Sequence, residues 1–107
     1  MTISETLEFA LRLPEVAEQA HHGILSLRVG GRIFATVPDD THLRVMVDES
    51  AIRAFVAAHP GVCTELWWGK RLACVVVDLP SAPRVLVEEL LVEAWAHKAH
   101  KGQPRPS

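Results

Sequence analysis

Two runs with a period of two, each turned back on itself at a glycine, restrict this chain to folds that contain antiparallel β-sheet. The first is Leu25-Ser26-Leu27-Arg28-Val29, then Gly30-Gly31, then Arg32-Ile33-Phe34-Ala35-Thr36-Val37. Successive strand side chains alternate between faces, so Leu25, Leu27 and Val29 share one face and Ser26 and Arg28 the other. Gly30-Gly31 suits a primed two-residue turn, which needs positive φ at both central residues. Ile33, Ala35 and Val37 then repeat the apolar face. The second run extends from Cys63 to Val77, with Trp67-Trp68 before Gly69 and Lys70-Arg71 after it. Each hairpin carries a cation just past its turn, a shape suited to contact with an anionic partner.

The flanking segments read as helices. Thr2 and Glu5 have the spacing of a capping box, and Ile3, Leu7, Ala10 and Leu11 recur at helical spacing, which predicts a helix over 3–12. Pro14 ends or bends it, and Glu15 to His21 are expected to add one helical turn. Pro38-Asp39-Asp40 marks a turn, and Leu43, Val45 and Val47 make a third strand. Asp48 is an N-cap for a second helix with Ile52, Phe55 and Val56 as its stripe; His59-Pro60-Gly61 stops it. Ser81 is expected to cap a third helix with Pro83 in its first turn. Val87, Leu90, Leu91, Ala94 and Trp95 line one side of that helix, and Arg84, Glu88, Glu89, Glu93 and His97 the other. The predicted order is α-βββ-α-ββ-α: an α+β fold, a five-stranded antiparallel sheet with its helices on one face.

A chain of 107 residues is sized for one domain, expected over 1–100 with a flexible tail over 101–107. The net charge of −2 lacks the basic footprint of a dedicated nucleic-acid binder, so any anion-binding surface must be local. The longest apolar run, Leu72 to Val77, is too short to span a bilayer. No secretory leader is visible and only two cysteines are present, so a reducing, cytoplasmic setting is expected. Cys63 and Cys74 fall on partner strands of one hairpin; the sequence leaves their register and pairing open, and buried packing is the expected role.

Several of these segments together carry a resemblance. They are Leu13-Pro14-Glu15-Val16 after the first helix, Gly31-Arg32-Ile33-Phe34-Ala35 in the first hairpin, and the Leu43-to-Asp48 strand leading into a helix. The Trp-bearing hairpin ahead of the Glu88-Glu89-Leu90-Leu91 helix completes the set. Over residues 3–99 the chain resembles the MmcQ/YjbR-like family of small bacterial proteins. The resemblance implies an α+β fold like that of the type III secretion chaperones, and a DNA-binding role through a double wing of hairpins. The chain departs from that role in its slightly acidic balance. Glu5, Glu8, Glu15 and Glu18 would repel a phosphate backbone.

The candidate contacts follow from the alternation. The face opposite the predicted core carries Ser26, Arg28, Arg32, Phe34, Thr36, Arg44 and Met46, joined by Trp67 or Trp68 according to register. Arg28, Arg32 and Arg44 are placed to neutralise phosphates, with Lys70 and Arg71 at the second tip, and Phe34 and Trp68 to stack on bases. The same face has a second reading, in which arginine stems cover apolar sheet surface and the aromatic patch meets a protein. No nucleophile-base pair, phosphate loop or four-ligand metal set is apparent. His21-His22 and His97-x-x-His100 lack further ligands at zinc spacing, and Glu88, Glu89 and Glu93 read as a solvated helix face. The expectation is a non-enzymatic binding protein without cofactor or metal, with DNA as its partner. The alternatives are a chaperone-like or dimeric protein-interaction module and, behind it, a small-molecule enzyme with a cleft.

Overall fold

The computed structural model describes residues 1–101. Residues 102–107, most of the expected tail, and the side chains of His100 and Lys101 lie outside the described part. Helix α1 (Ile3–Leu11) opens with the expected capping box: the Glu5 amide donates to Thr2 Oγ1 at 3.1 Å and the Thr2 amide to Glu5 Oε1 at 2.9 Å.

After α1 the chain departs from the expected helical turn. Pro14 cannot extend the helix ladder, and Glu15 takes φ +62°, a left-handed conformation that no helix continues through. The chain reverses and Val16–His21 becomes strand β1, antiparallel to β2 (Ile24–Val29), with Val16 opposite Val29 and His21 opposite Ile24. The sheet therefore has six strands, one more than the sequence reading. Ala17 to His21 are all exposed, so little burial marks this segment as a strand.

Strands β3 (Arg32–Val37) and β4 (His42–Val45) follow, then helix α2 (Glu49–Ala58), capped by Asp48 Oδ1 accepting from the Ala51 amide at 2.8 Å. Strands β5 (Cys63–Trp68) and β6 (Arg71–Asp78) form the second hairpin, and a 3-10 turn (Leu79–Ser81) leads to helix α3 (Arg84–Lys101). The spatial order is β1-β2-β3-β4-β6-β5, all antiparallel. Ser81 is not the cap of α3. It sits in the 3-10 turn and its hydroxyl donates to Asp78 Oδ2 at 2.6 Å. The Pro83 carbonyl, just before Arg84, accepts the first amides, from Leu86 and Val87.

All three helices lie on one face. Leu27, Val29, Ala35, Leu43, Val45, Val75 and Val77 pack from the sheet against Ile52 of α2 and Val87, Leu90, Leu91 and Ala94 of α3 in a single core. The Trp95 indole Nε1–H donates to the Pro14 carbonyl at 2.9 Å, and Arg84 approaches Glu5 at 3.4 Å, so α3 holds both ends of α1.

Two β-bulges change which side chains face the core. Leu27 pairs with Ala35 but Arg28 pairs with Ile33, leaving Phe34 as an extra residue on β3. A bulge lets two consecutive residues oppose one, which breaks the alternation. Phe34, expected on the outward face, is fully buried in the core. Ile33, expected inward, moves to the open face with Arg28, while Arg32 falls opposite Val29. In the second hairpin Leu66 pairs with Cys74 but Trp67 with Leu72, leaving Ala73 as the extra residue. Cys63 pairs with Val77 and faces the core, whereas Cys74 faces away from it; both are free, buried thiols.

Candidate nucleic-acid interface

The direction of the two hairpins follows from the ladder. Strand β4 is antiparallel to both β3 and β6. Strands β3 and β6 therefore run the same way, and each begins just after its hairpin turn. Gly30-Gly31 and Gly69-Lys70 consequently project from the same end of the sheet. Only β4 separates the hairpins, so their axes lie three strand spacings apart, about 14 Å. Gly30 and Gly31 take φ +57° and +76°, the primed geometry expected of them, and Gly69 takes φ +62°.

Arg32, Lys70 and Arg71 are exposed at these tips, and none of their side chains forms a hydrogen bond or ion pair with a described residue. Trp67 and Trp68 are 44% and 52% exposed beside the second turn. The register separates them. Trp67, opposite Leu72, is on the helix side, where the Arg53 guanidinium lies 5.9 Å from its ring centroid. Trp68, opposite Arg71, is on the open face. Glu15 enters the same end of the sheet next to β1 and offsets part of this charge.

The opposite end is acidic, with Asp39, Asp40 and Asp78. His42 lies 3.0 Å from Asp39 and 3.8 Å from Asp78. Asp39 Oδ1 accepts from the Thr41 amide at 2.9 Å and the His42 amide at 2.8 Å. The Thr41 amide above all, then the His42 side chain, lowers the Asp39 carboxyl to about 2. Basic and acidic ends on one sheet reconcile a net charge of −2 with a locally cationic surface.

The sheet face away from the helices is covered by no other described element. Across it runs a row of cross-strand neighbours, Gln19, Ser26, Thr36, Arg44, Val76 and Thr64, one from each strand. Arg28 and Arg44 are half-buried here. Arg28 Nε lies 3.4 Å from Ser26 Oγ and its Nη2 3.4 Å from His21 Nδ1. The Arg44 side chain forms no hydrogen bond or ion pair with a described residue. Ser26 is fully buried and donates to the Gln19 carbonyl. Thr36 is 7% exposed, and its buried hydroxyl has no partner. Burial pushes the Cys74 thiol on this face up to about 11, against a small opposing pull from Arg44; burial raises Cys63 as well. Both thiols are protonated at neutral pH, so neither has the thiolate character a nucleophile needs.

The expected contact residues thus divide. Arg32, Lys70 and Arg71 come together at one end, Arg28 and Arg44 with Trp68 occupy the open face, and Phe34 lies inside the core, away from any surface contact. The sequence reading missed one surface feature, a second apolar stripe on α3. Val85, Val92 and Ala96 line an open groove of about 760 Å³ with Glu88, Glu89 and Glu93. Its signal was the i, i+7, i+11 spacing, masked by the stronger core stripe. His97 lines the same groove. Among the described residues, no group of three or more His, Cys, Asp or Glu side chains is placed to hold a metal, and no helix is long and apolar enough to cross a membrane.

These features define an α+β protein with helices on one sheet face, a bare opposite face, and two cation-tipped hairpins at one end. The YjbR family model matches residues 11–97, and the chain belongs to the YjbR family. No curated protein and no solved structure matches it.

Proposed function

We propose that this YjbR-family chain is a non-enzymatic, cytoplasmic DNA-binding protein that grips a duplex between two hairpin wings. The observation that carries this reading is the common direction of the two tips. Their separation of about 14 Å is close to the width of the B-DNA major groove, about 12 Å. Arg32 on one wing and Lys70 and Arg71 on the other meet phosphates on either side of the groove. Such contacts position the protein without reading sequence. Trp68 adds apolar contact beside the turn of the second wing.

The test is a fluorescence-anisotropy titration of a mixed-sequence duplex at low and physiological salt, with wild-type protein and R32A/K70A/R71A. Saturable binding that weakens with salt and drops in the triple variant supports the reading. Absence of binding at micromolar protein in low salt refutes it. Self-association that is insensitive to salt would transfer the function to a protein partner or a second copy, because apolar contacts lack the counterion term.

A further inference from the structure

The Thr36 hydroxyl is the one polar side-chain atom among the described residues that is buried without a hydrogen-bond partner. Burying such a group costs free energy, and its presence in a folded protein calls for a cause. Threonine suits a strand through its branched Cβ, but valine has the same shape and no such cost. The hydroxyl itself needs the explanation.

Its neighbours supply one. Thr36 pairs with Ser26 on β2 and with Arg44 on β4, each one strand spacing away, about 4.8 Å. Arg28 bends back so that its Nε lies 3.4 Å from Ser26 Oγ. The hydroxyl therefore stands between two strands that each bring a guanidinium to the open face. Neither guanidinium pairs with a carboxylate. Asp78, the carboxylate that β6 places on this face, is engaged by Ser81 at 2.6 Å and by His42 at 3.8 Å. Arg28 reaches only the neutral acceptors Ser26 Oγ and His21 Nδ1, each at 3.4 Å, so the group is rich in donors and lacks an anion. A planar carboxylate offers two oxygens in one plane, whereas donors from three adjacent strands match an acceptor with three splayed oxygens. Guanidinium forks suit phosphoryl oxygens for the same geometric reason.

We propose that Arg28, Thr36 and Arg44 form a seat for a single phosphoryl group on the open face, in which the Thr36 hydroxyl donates to one oxygen and the two guanidinium groups hold the others. The hydroxyl is closed to solvent, so a phosphoryl group reaches it only when a covering side chain moves aside. The seat is distinct from the hairpin tips and stands whether or not they bind a duplex. It takes a terminal phosphate, from a nucleotide or as free inorganic phosphate. Met46 and Val76, half-buried beside Arg44, flank the remainder of a nucleotide.

The experiment is an amide-resolved NMR titration of the full chain with inorganic phosphate, adenosine 5′-monophosphate and adenosine. Saturable shifts at Ser26, Thr36 and Arg44 with both phosphates, and none there with adenosine, are expected. A tighter constant for the nucleotide assigns the seat to nucleotides, and equal constants assign it to the free anion. Arg44→Met weakens binding roughly tenfold, the effect of one charge-assisted contact. Thr36→Val, which keeps the side-chain shape, weakens it several-fold with the amide spectrum otherwise intact. The proposal is overturned if the Thr36 row does not shift by roughly 10 mM phosphate, beyond even weak specific binding, or if both variants bind phosphate with the wild-type constant.

Discussion

Thr36 and Asp39 pose opposite problems at the scale of single residues. The Thr36 hydroxyl is buried and unpaired, so removing it relieves a desolvation cost of about 1–3 kcal/mol. Thr36→Val is expected to raise the urea midpoint at unchanged m-value, in the absence of phosphate. A lower midpoint would mean that the hydroxyl is satisfied in solution. Asp39 is over-satisfied, accepting two backbone amides beside His42. Its carboxyl falls from the ordinary 3.8 to about 2. A carboxyl whose folded pKa is depressed contributes stability above its unfolded pKa and loses it as pH falls through the folded value. The contribution is therefore full above about pH 4 and gone below about pH 2. Asp39→Asn should flatten that part of the acid-denaturation curve while leaving its shape near neutrality unchanged. The sequence placed Asp39 in a turn, but His42 and the amide cluster around it required the folded loop.

The first hairpin shows which elements local chemistry determines. Gly30 and Gly31 both take positive φ, and the space where a Cβ would sit at Gly31 is open. Gly31→Ala therefore meets only the conformational penalty, about 1–2 kcal/mol, and a thermal melt is expected to shift down accordingly. Little change would mean that the turn relaxes to another type. The turn was readable because only glycine tolerates that backbone cheaply. The bulge at Phe34, three residues later, was not. Ile33, Ala35 and Val37 make as regular an alternation as any strand, and only packing against the core selects Phe34 as the inward side chain. Strand β1 escaped for a different reason. Val16-Ala-Glu-Gln-Ala-His21 has little strand propensity and buries almost nothing. It is a strand because β2 offers it a free edge and because Glu15 turns the chain back.

At the scale of the whole molecule, charge is sorted by position along the strands. The tips carry Arg32, Lys70 and Arg71, and the far end carries Asp39, Asp40 and Asp78. A duplex approaching the tips meets a local field that the net charge of −2 conceals. The three tip cations predict a measurable salt dependence. Each phosphate neutralised contributes about −0.9 to the slope of log K against log salt. Replacing all three with alanine should make that slope shallower by roughly 3. A loss of affinity at unchanged slope would mean that the variant has lost structure and not phosphate contacts. The clasp of α3 on α1, through Trp95 with Pro14 and Arg84 with Glu5, joins segments about eighty residues apart and has no local signature.

Period, caps and glycine turns are short-range properties, set by sterics and by neighbours a few residues away. They determined the three helices, both expected hairpins, the apolar stripe of α3 and the α+β class from the sequence alone. Strand order, the two bulges, the sixth strand and the separation of Cys63 from Cys74 depend on which distant groups complete a ladder or fill a core. Only the tertiary structure decided them. The two wings gained a common direction the same way: β4 pairs with β3 on one side and β6 on the other, and that antiparallel relay points both tips to one end.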